Sequence, residues 1–123
     1  MTYRVLKASI AQDEIDRFAI YAADYSDDFA REQFVRLNHI LSVDLTESPN
    51  MWGYFYITGA PYRSYLFRVG RRTHFWIIYT VDEDTKTVSV LHFWNASKDP
   101  RAVQFSIQKR MDSMTSRPPS AAA

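Results

Sequence analysis

The stretch HFWIIYTVDEDTKTVSVLHFWNASKDP, residues 74–100, decides the fold of this chain. It holds two apolar segments, 74–81 and 87–95, joined by a charged turn at 82–86 and closed by Lys-Asp-Pro. Successive side chains of a strand point to opposite faces. Both faces of the first segment are apolar, so the pattern predicts a β-hairpin whose first strand is central and covered on both sides.

The sequence before this hairpin predicts a third adjacent strand and two helices. Residues 62–69 read as a strand that turns at Gly70-Arg71-Arg72, and residues 3–9 read as a short first strand. Between them, apolar residues recur at helical steps and predict an antiparallel helical hairpin. Ser9 is the expected cap of the first helix, and Asp27 or Asp28 of the second. The expected buried stripes are Ile15, Phe18, Ala19, Ala22 and Tyr25, then Ala30, Phe34, Leu37 and Leu41.

Two segments are less regular. Residues 44–61 carry two prolines and two glycines and read as a loop. The run WGYFYI inside it is too apolar for a free loop, so we expect it to lie back on the domain, with a short strand as one option. Apolar residues recur at helical spacing over residues 101–114, and this pattern predicts a C-terminal helix.

The order of these elements predicts an α+β fold. A small antiparallel sheet in β-α-α-β-β-β order would carry the helical hairpin on one face. The first strand can pair at an edge or join the middle, and the sequence leaves this open. We expect one domain over residues 1–114 and a disordered tail over residues 115–123.

Composition excludes several classes of function. The chain has 123 residues and no cysteine, which removes disulfides, thiolate catalysis and cysteine-ligated zinc. Its three glycines allow no phosphate-binding loop, and the three histidines lack metal-ligand spacing. We therefore expect no metal and no cofactor. The N-terminus lacks a signal-peptide core and no run is long enough to span a membrane, so we expect a cytoplasmic protein.

Charge is distributed unevenly, although the net charge is only +1. Residues 52–81 contain four arginines and no acid, whereas residues 1–47 contain nine acids and five bases. A basic, aromatic segment of this kind can meet an anionic partner. As an endoribonuclease, the chain would depend on arginines that hold a phosphodiester and on an acid–base group. The candidates for that chemistry are Arg68, Arg71, Arg72, His92 and Lys98.

The stretch FWIIYTVDEDTKTVSVLHF and the basic-Asp-Pro ending resemble the RelE/ParE superfamily of toxins from type II toxin–antitoxin modules, over residues 3–100. The resemblance implies a small sheet faced by a helical hairpin. It also implies a cognate antitoxin as partner. The implied target differs between the two branches. Members of the RelE branch cleave ribosome-bound messenger RNA, whereas members of the ParE branch inhibit DNA gyrase.

The chain departs from the RNA-cutting branch at several positions. Trp76 stands where that branch commonly has an arginine, and Lys98 stands where another arginine follows the last strand. Asn95 replaces a frequent histidine, and no tyrosine follows Tyr79. By this comparison the chain is closer to the ParE-like branch, which is not known as a nuclease.

The second face of the hairpin is the expected partner surface. Trp76, Ile78 and Phe93 are too apolar for water alone, and Arg68 lies nearby. An antitoxin, the C-terminal helix or a second copy of the chain would cover this face. Three functions stay open: a plasmid-stabilisation-type toxin that binds a cellular protein, a ribosome-dependent endoribonuclease, and a non-toxic antitoxin-binding module.

Overall fold

A mixed sheet forms the centre of the computed structural model, which describes residues 2–70, 73–102 and 106–107. Its strands are β1 (Arg4–Lys7), β2 (Arg63–Val69), β3 (Thr73–Asp82) and β4 (Thr87–Asn95). Their order across the sheet is β1-β4-β3-β2. The β2–β3–β4 meander is antiparallel, as predicted. β1 takes the edge beside β4 and runs parallel to it, so the sheet is mixed, and the predicted antiparallel sheet is corrected at this one strand.

A β-bulge in β4 changes which side chains share a face. Ile78 lies opposite His92, whereas Tyr79 lies opposite Val90, so Leu91 is an extra residue. An extra residue reverses the alternation beyond it. As a result Phe93 joins Val90 on the helix side of the sheet.

Two helices pack on that side, as the apolar stripes predict, although Tyr25 of the first stripe is 73% exposed and was wrongly expected to be buried. α1 (Ser9–Tyr25) follows Ala8, whose side chain makes no cap, so Ser9 begins the helix and does not cap it. α2 (Asp27–His39) is capped by Ser26, whose Oγ accepts the Phe29 N–H at 3.0 Å. The prediction of an Asp27 or Asp28 cap was therefore wrong. In α2, Gln33 and Leu37 are buried while Phe34 is 40% exposed, which corrects the predicted stripe at Phe34.

The helical backbone continues beyond α2 to Glu47, whereas a loop was expected from residue 44 onwards. A π-helical turn spans Ile40–Asp44 and passes into α3 (Leu45–Glu47), in which Leu45 is fully buried. A 3₁₀ turn follows at Pro49–Met51. In the WGYFYI run only Tyr54 forms a bridge, to Arg63, so no strand develops there.

The sheet separates two apolar clusters. The larger lies between the sheet and the helices and contains Phe18, Leu37, Phe67, Phe75, Ile77, Tyr79, Val88, Val90 and Phe93 among others. The smaller covers the other face with Phe55, Tyr62, Ile78 and Ile107, and Trp76 and Trp94 pack against it. The WGYFYI run thus lies back on the domain, as predicted.

The C-terminal segment is described only in part. Residues 100–102 and 106–107 are helical, in line with the predicted C-terminal helix, and its remainder lies outside the described residues. The expected tail at 115–123 lies outside them too. Together these elements confirm the α+β fold. In the described part of the chain no helix has the length and apolar character needed to cross a bilayer.

Candidate functional site

The most complete grouping of functional side chains lies in a cleft between α1 and the ends of β3 and β4, here called the α1 cleft. Its volume is about 350 Å³. Apolar rings form much of its wall, and three charged side chains join them. The lining residues are Glu14, Arg17, Phe18, Tyr21, Thr73, Phe75, Phe93, Trp94, Asn95 and Lys98.

Glu14, which lines this cleft, can contact the edge of β4 because β1 is short. β1 ends its pairing at Val90, so the outer edge of β4 has no strand neighbour beyond that residue. Glu14 reaches this edge from α1, where its Oε1 accepts the Phe93 N–H at 3.1 Å and lies 3.1 Å from His92 Nδ1. The carboxylate thus satisfies an amide that the sheet leaves open.

His92 is oriented by the same contact. Its side chain is only 1% exposed, and the Glu14 side chain is 17% exposed. An ionised carboxylate only accepts hydrogen bonds, so His92 presents Nδ1 as N–H and, when neutral, leaves Nε2 as the acceptor. Neither His92 Nε2 nor the nearby Trp94 Nε1 has a hydrogen-bond partner within the described residues.

Two cations line the α1 cleft from opposite walls. Arg17 projects from α1, one helical turn after Glu14, and Lys98 follows β4, with its Nζ 6.0 Å from the centre of the Trp94 ring. Neither cation forms an ion pair with a residue that the structure describes.

Arg68 lies away from this grouping, at the outer edge of β2. It lines a second cleft of about 420 Å³ between β2 and α2, together with Arg36, His39, Asp44 and Tyr65. His39 Nε2 lies 3.6 Å from Asp44 Oδ1. Burial, followed by the neighbouring Asp44 carboxylate, raises the pKa of the Tyr65 hydroxyl.

The three nuclease candidates that the structure describes therefore do not meet in one place. Lys98 lies in the α1 cleft, His92 is buried behind Glu14, and Arg68 lies in the cleft at β2. Arg71 and Arg72 lie outside the described residues.

The predicted partner surface also divides. Phe93 is buried on the helix side, where its ring stacks on Phe75 at 4.4 Å, so its assignment to the second face was wrong. Ile78 does lie on the second face, but it is fully buried there, in one cluster with Phe55 and Ile107 of this chain. Trp76 is half-buried, with its ring centre 5.9 Å from that of Phe55 and 6.0 Å from that of Tyr56.

No group of three or more histidine, aspartate or glutamate side chains among the described residues could hold a metal ion.

The carboxylate with the most strongly shifted pKa, that of Glu83, lies at the surface. Hydrogen bonds from Lys86, Asn50 and Tyr3 lower the pKa of Glu83 to about 2. These contacts tie the β3–β4 turn to the N-terminus and to the 3₁₀ turn, which is a structural role.

Sequence reasoning missed Glu14 and Arg17 because both read as ordinary solvated residues of an amphipathic helix. Their only signal is position, since they lie one turn apart beside the buried stripe of α1. Glu14 contacts a residue 79 positions away, and no local pattern encodes such a contact.

Comparison with known proteins does not place the chain in a family. No protein-family model matches it, and no curated protein matches it.

Proposed function

We propose that this chain is a RelE/ParE-like toxin of a type II toxin–antitoxin module that acts in the cytoplasm by binding a cellular protein such as DNA gyrase. A cognate antitoxin would neutralise it. The proposal rests on the resemblance of residues 74–100 to that superfamily. The α+β fold, with its antiparallel meander and helical hairpin, is compatible with it.

The burial of His92 and its contact with Glu14 are the observation that favours protein binding over RNA cleavage. A general acid or base must reach the proton it transfers. His92 is almost fully buried, and Glu14 occupies its Nδ1. The candidate cations Arg68 and Lys98 line different clefts, so they offer no common phosphate site.

The experiment is induction of the full chain in a bacterial host, with growth recorded beside pulse labelling of DNA and protein synthesis. For a gyrase-type toxin we expect growth arrest in which DNA synthesis stops first. Co-expression of the antitoxin, encoded beside the toxin in such modules, should restore growth.

Two other outcomes would contradict the proposal. If protein synthesis stops first and purified chain cleaves messenger RNA with ribosomes present, the endoribonuclease function applies. Arg68→Ala and Lys98→Ala would then show which cation takes part. If induction leaves growth and both syntheses unchanged, the chain is not a toxin, and a non-toxic antitoxin-binding module remains.

A further inference from the structure

The α1 cleft combines charges of both signs with an apolar wall, and this combination restricts what it can bind. A purely anionic ligand would meet the Glu14 carboxylate, and a purely cationic ligand would meet Arg17 and Lys98. A ligand that carries both charges on neighbouring atoms satisfies all three side chains. We propose that the α1 cleft binds a free α-amino acid with an apolar or aromatic side chain.

The spacing of the charges on α1 matches a zwitterion. Glu14 and Arg17 are three residues apart on one helix, so their Cβ atoms are neighbours at about 5–6 Å. They form no ion pair with each other. The ammonium and carboxylate of an α-amino acid are attached to one carbon, so the first can face Glu14 while the second faces Arg17. Lys98 also lines the cleft and offers a second cation to this carboxylate.

Glu14 is fixed in advance for this role. Its Oε1 is held by the Phe93 N–H and lies beside His92 Nδ1. Its Oε2 accepts no hydrogen bond from a described residue and stays available to a ligand ammonium. An acceptor already held in place loses little conformational freedom when the ligand binds.

The remaining wall suits a side chain of moderate size. Phe18, Phe75 and Phe93 supply apolar rings, and Thr73 and Asn95 are the polar, uncharged residues of the lining. The volume of about 350 Å³ lies at the small end of the range typical of small-molecule sites. This inference does not depend on the proposed toxin function.

Isothermal titration calorimetry of the full chain with L-phenylalanine and L-leucine tests the inference. Phenylacetate lacks the ammonium and phenethylamine lacks the carboxylate, so both should bind at least about tenfold more weakly than L-phenylalanine, the loss expected for one charged hydrogen bond. Cytidine monophosphate is the anionic comparison. Tighter binding of phenylacetate or of the nucleotide would overturn the assignment, as would no heat from either amino acid at millimolar concentration.

Two variants locate the site. Arg17→Ala removes the carboxylate partner, and we expect it to weaken L-phenylalanine binding about tenfold or more. Arg31→Ala is the matched control, because Arg31 is an exposed helical arginine outside the cleft. Unfolding midpoints of both variants establish that they fold. If Arg17→Ala binds L-phenylalanine as well as Arg31→Ala does, the amino acid does not occupy the α1 cleft.

Discussion

At the scale of single residues, polar side chains complete what the backbone leaves unpaired. Glu14 takes the Phe93 N–H at the open edge of β4. Tyr79 donates its hydroxyl to the Pro49 carbonyl at 2.6 Å and fixes the 3₁₀ turn beneath the sheet. Both contacts join segments far apart in sequence. Each of these side chains therefore affects stability more than its residue type alone indicates.

Replacing Glu14 tests the first contact. Glu14→Ala leaves the Phe93 amide and His92 Nδ1 without their acceptor, and we expect a loss of about 2 kcal/mol in the free energy of unfolding. Glu14→Gln keeps an acceptor oxygen and should lose less. Chemical denaturation measures both, beside Asp13→Ala at an exposed neighbouring position, which should stay within about 0.5 kcal/mol of wild type. Equal stability of Glu14→Ala and Asp13→Ala would show that the edge contact contributes nothing.

Tyr79 predicts a specific alkaline response. Burial raises the pKa of its hydroxyl from 10.0 to about 12. Its folded-state pKa is above the unfolded value, so its stabilising contribution is complete below pH 10 and is lost as the pH rises towards 12. Tyr79→Phe should cost about 1–2 kcal/mol at pH 8, because the Pro49 carbonyl loses its donor.

Urea denaturation at pH 8 and pH 11 compares wild type with Tyr79→Phe. We expect the difference in free energy of unfolding between them to shrink at the higher pH. A difference that stays constant would mean that the Tyr79 hydroxyl titrates alike in the folded and unfolded chains.

At the scale of elements, the sequence predicted correctly those strands and turns whose formation depends on neighbouring residues in the chain. The β3–β4 hairpin follows from alternating apolar residues around a charged turn, and both strands lie where the sequence places them. The bulge at Leu91 was missed because an extra residue inside an unbroken apolar strand leaves no mark in composition. The position of β1 in the sheet was left open and its parallel direction was missed, since both depend on where α1 returns the chain. The helical backbone over residues 44–47 was missed because the prolines and glycines of residues 44–61 indicated a loop, while Leu45 is in fact fully buried.

Contacts between elements converge on Glu83 at the β3–β4 turn. Its carboxylate accepts from Tyr3 Oη at 2.8 Å, Asn50 Nδ2 at 2.7 Å and Lys86 Nζ at 2.9 Å. These hydrogen bonds, that of Lys86 foremost, lower its pKa from 4.5 to about 2. The folded-state pKa is below the unfolded one, so the contribution is present above pH 4.5 and is lost as the pH falls towards 2.

Replacing Glu83 by a neutral side chain should make the stability of the chain less dependent on pH in the acid range. We expect the melting temperature of Glu83→Gln to fall less than that of wild type between pH 4.5 and pH 2.5, as followed by circular dichroism. Asp84→Asn removes a carboxylate from the next position, which is also exposed, and should keep the wild-type slope. If the two variants have the same slope, the Glu83 contacts do not stabilise the folded chain.

At the scale of the whole molecule, the sheet is apolar on both sides, and each side has its own cover. The helices cover the larger cluster, whereas residues from the WGYFYI run and the C-terminal segment cover the smaller one. This arrangement gives the second face of β3 an intramolecular cover. An intramolecular cover explains why this face of the strand is apolar. From the sequence alone, an antitoxin or a second copy of the chain was also a candidate for that cover.

Phe55 is the residue that tests this two-cluster organisation. It is 0% exposed in the smaller cluster, and its neighbour Tyr56 is 65% exposed. Phe55→Ala should cost about 3–5 kcal/mol, the usual loss for a buried phenylalanine. Tyr56→Ala should cost much less, because most of its ring already faces water. Chemical denaturation measures both losses.

The two clusters also predict which part of the fold stays intact in the Phe55→Ala variant. Because the helix-side cluster does not include Phe55, the far-ultraviolet circular dichroism of Phe55→Ala should stay close to that of wild type. The uncovered face around Ile78 should bind the dye anilinonaphthalene sulfonate, which reports exposed apolar surface. Stability and dye binding indistinguishable from those of Tyr56→Ala would mean that the smaller cluster does not support the sheet. The second face would then be free for an antitoxin or a second copy of the chain, two of the three covers that the sequence left open.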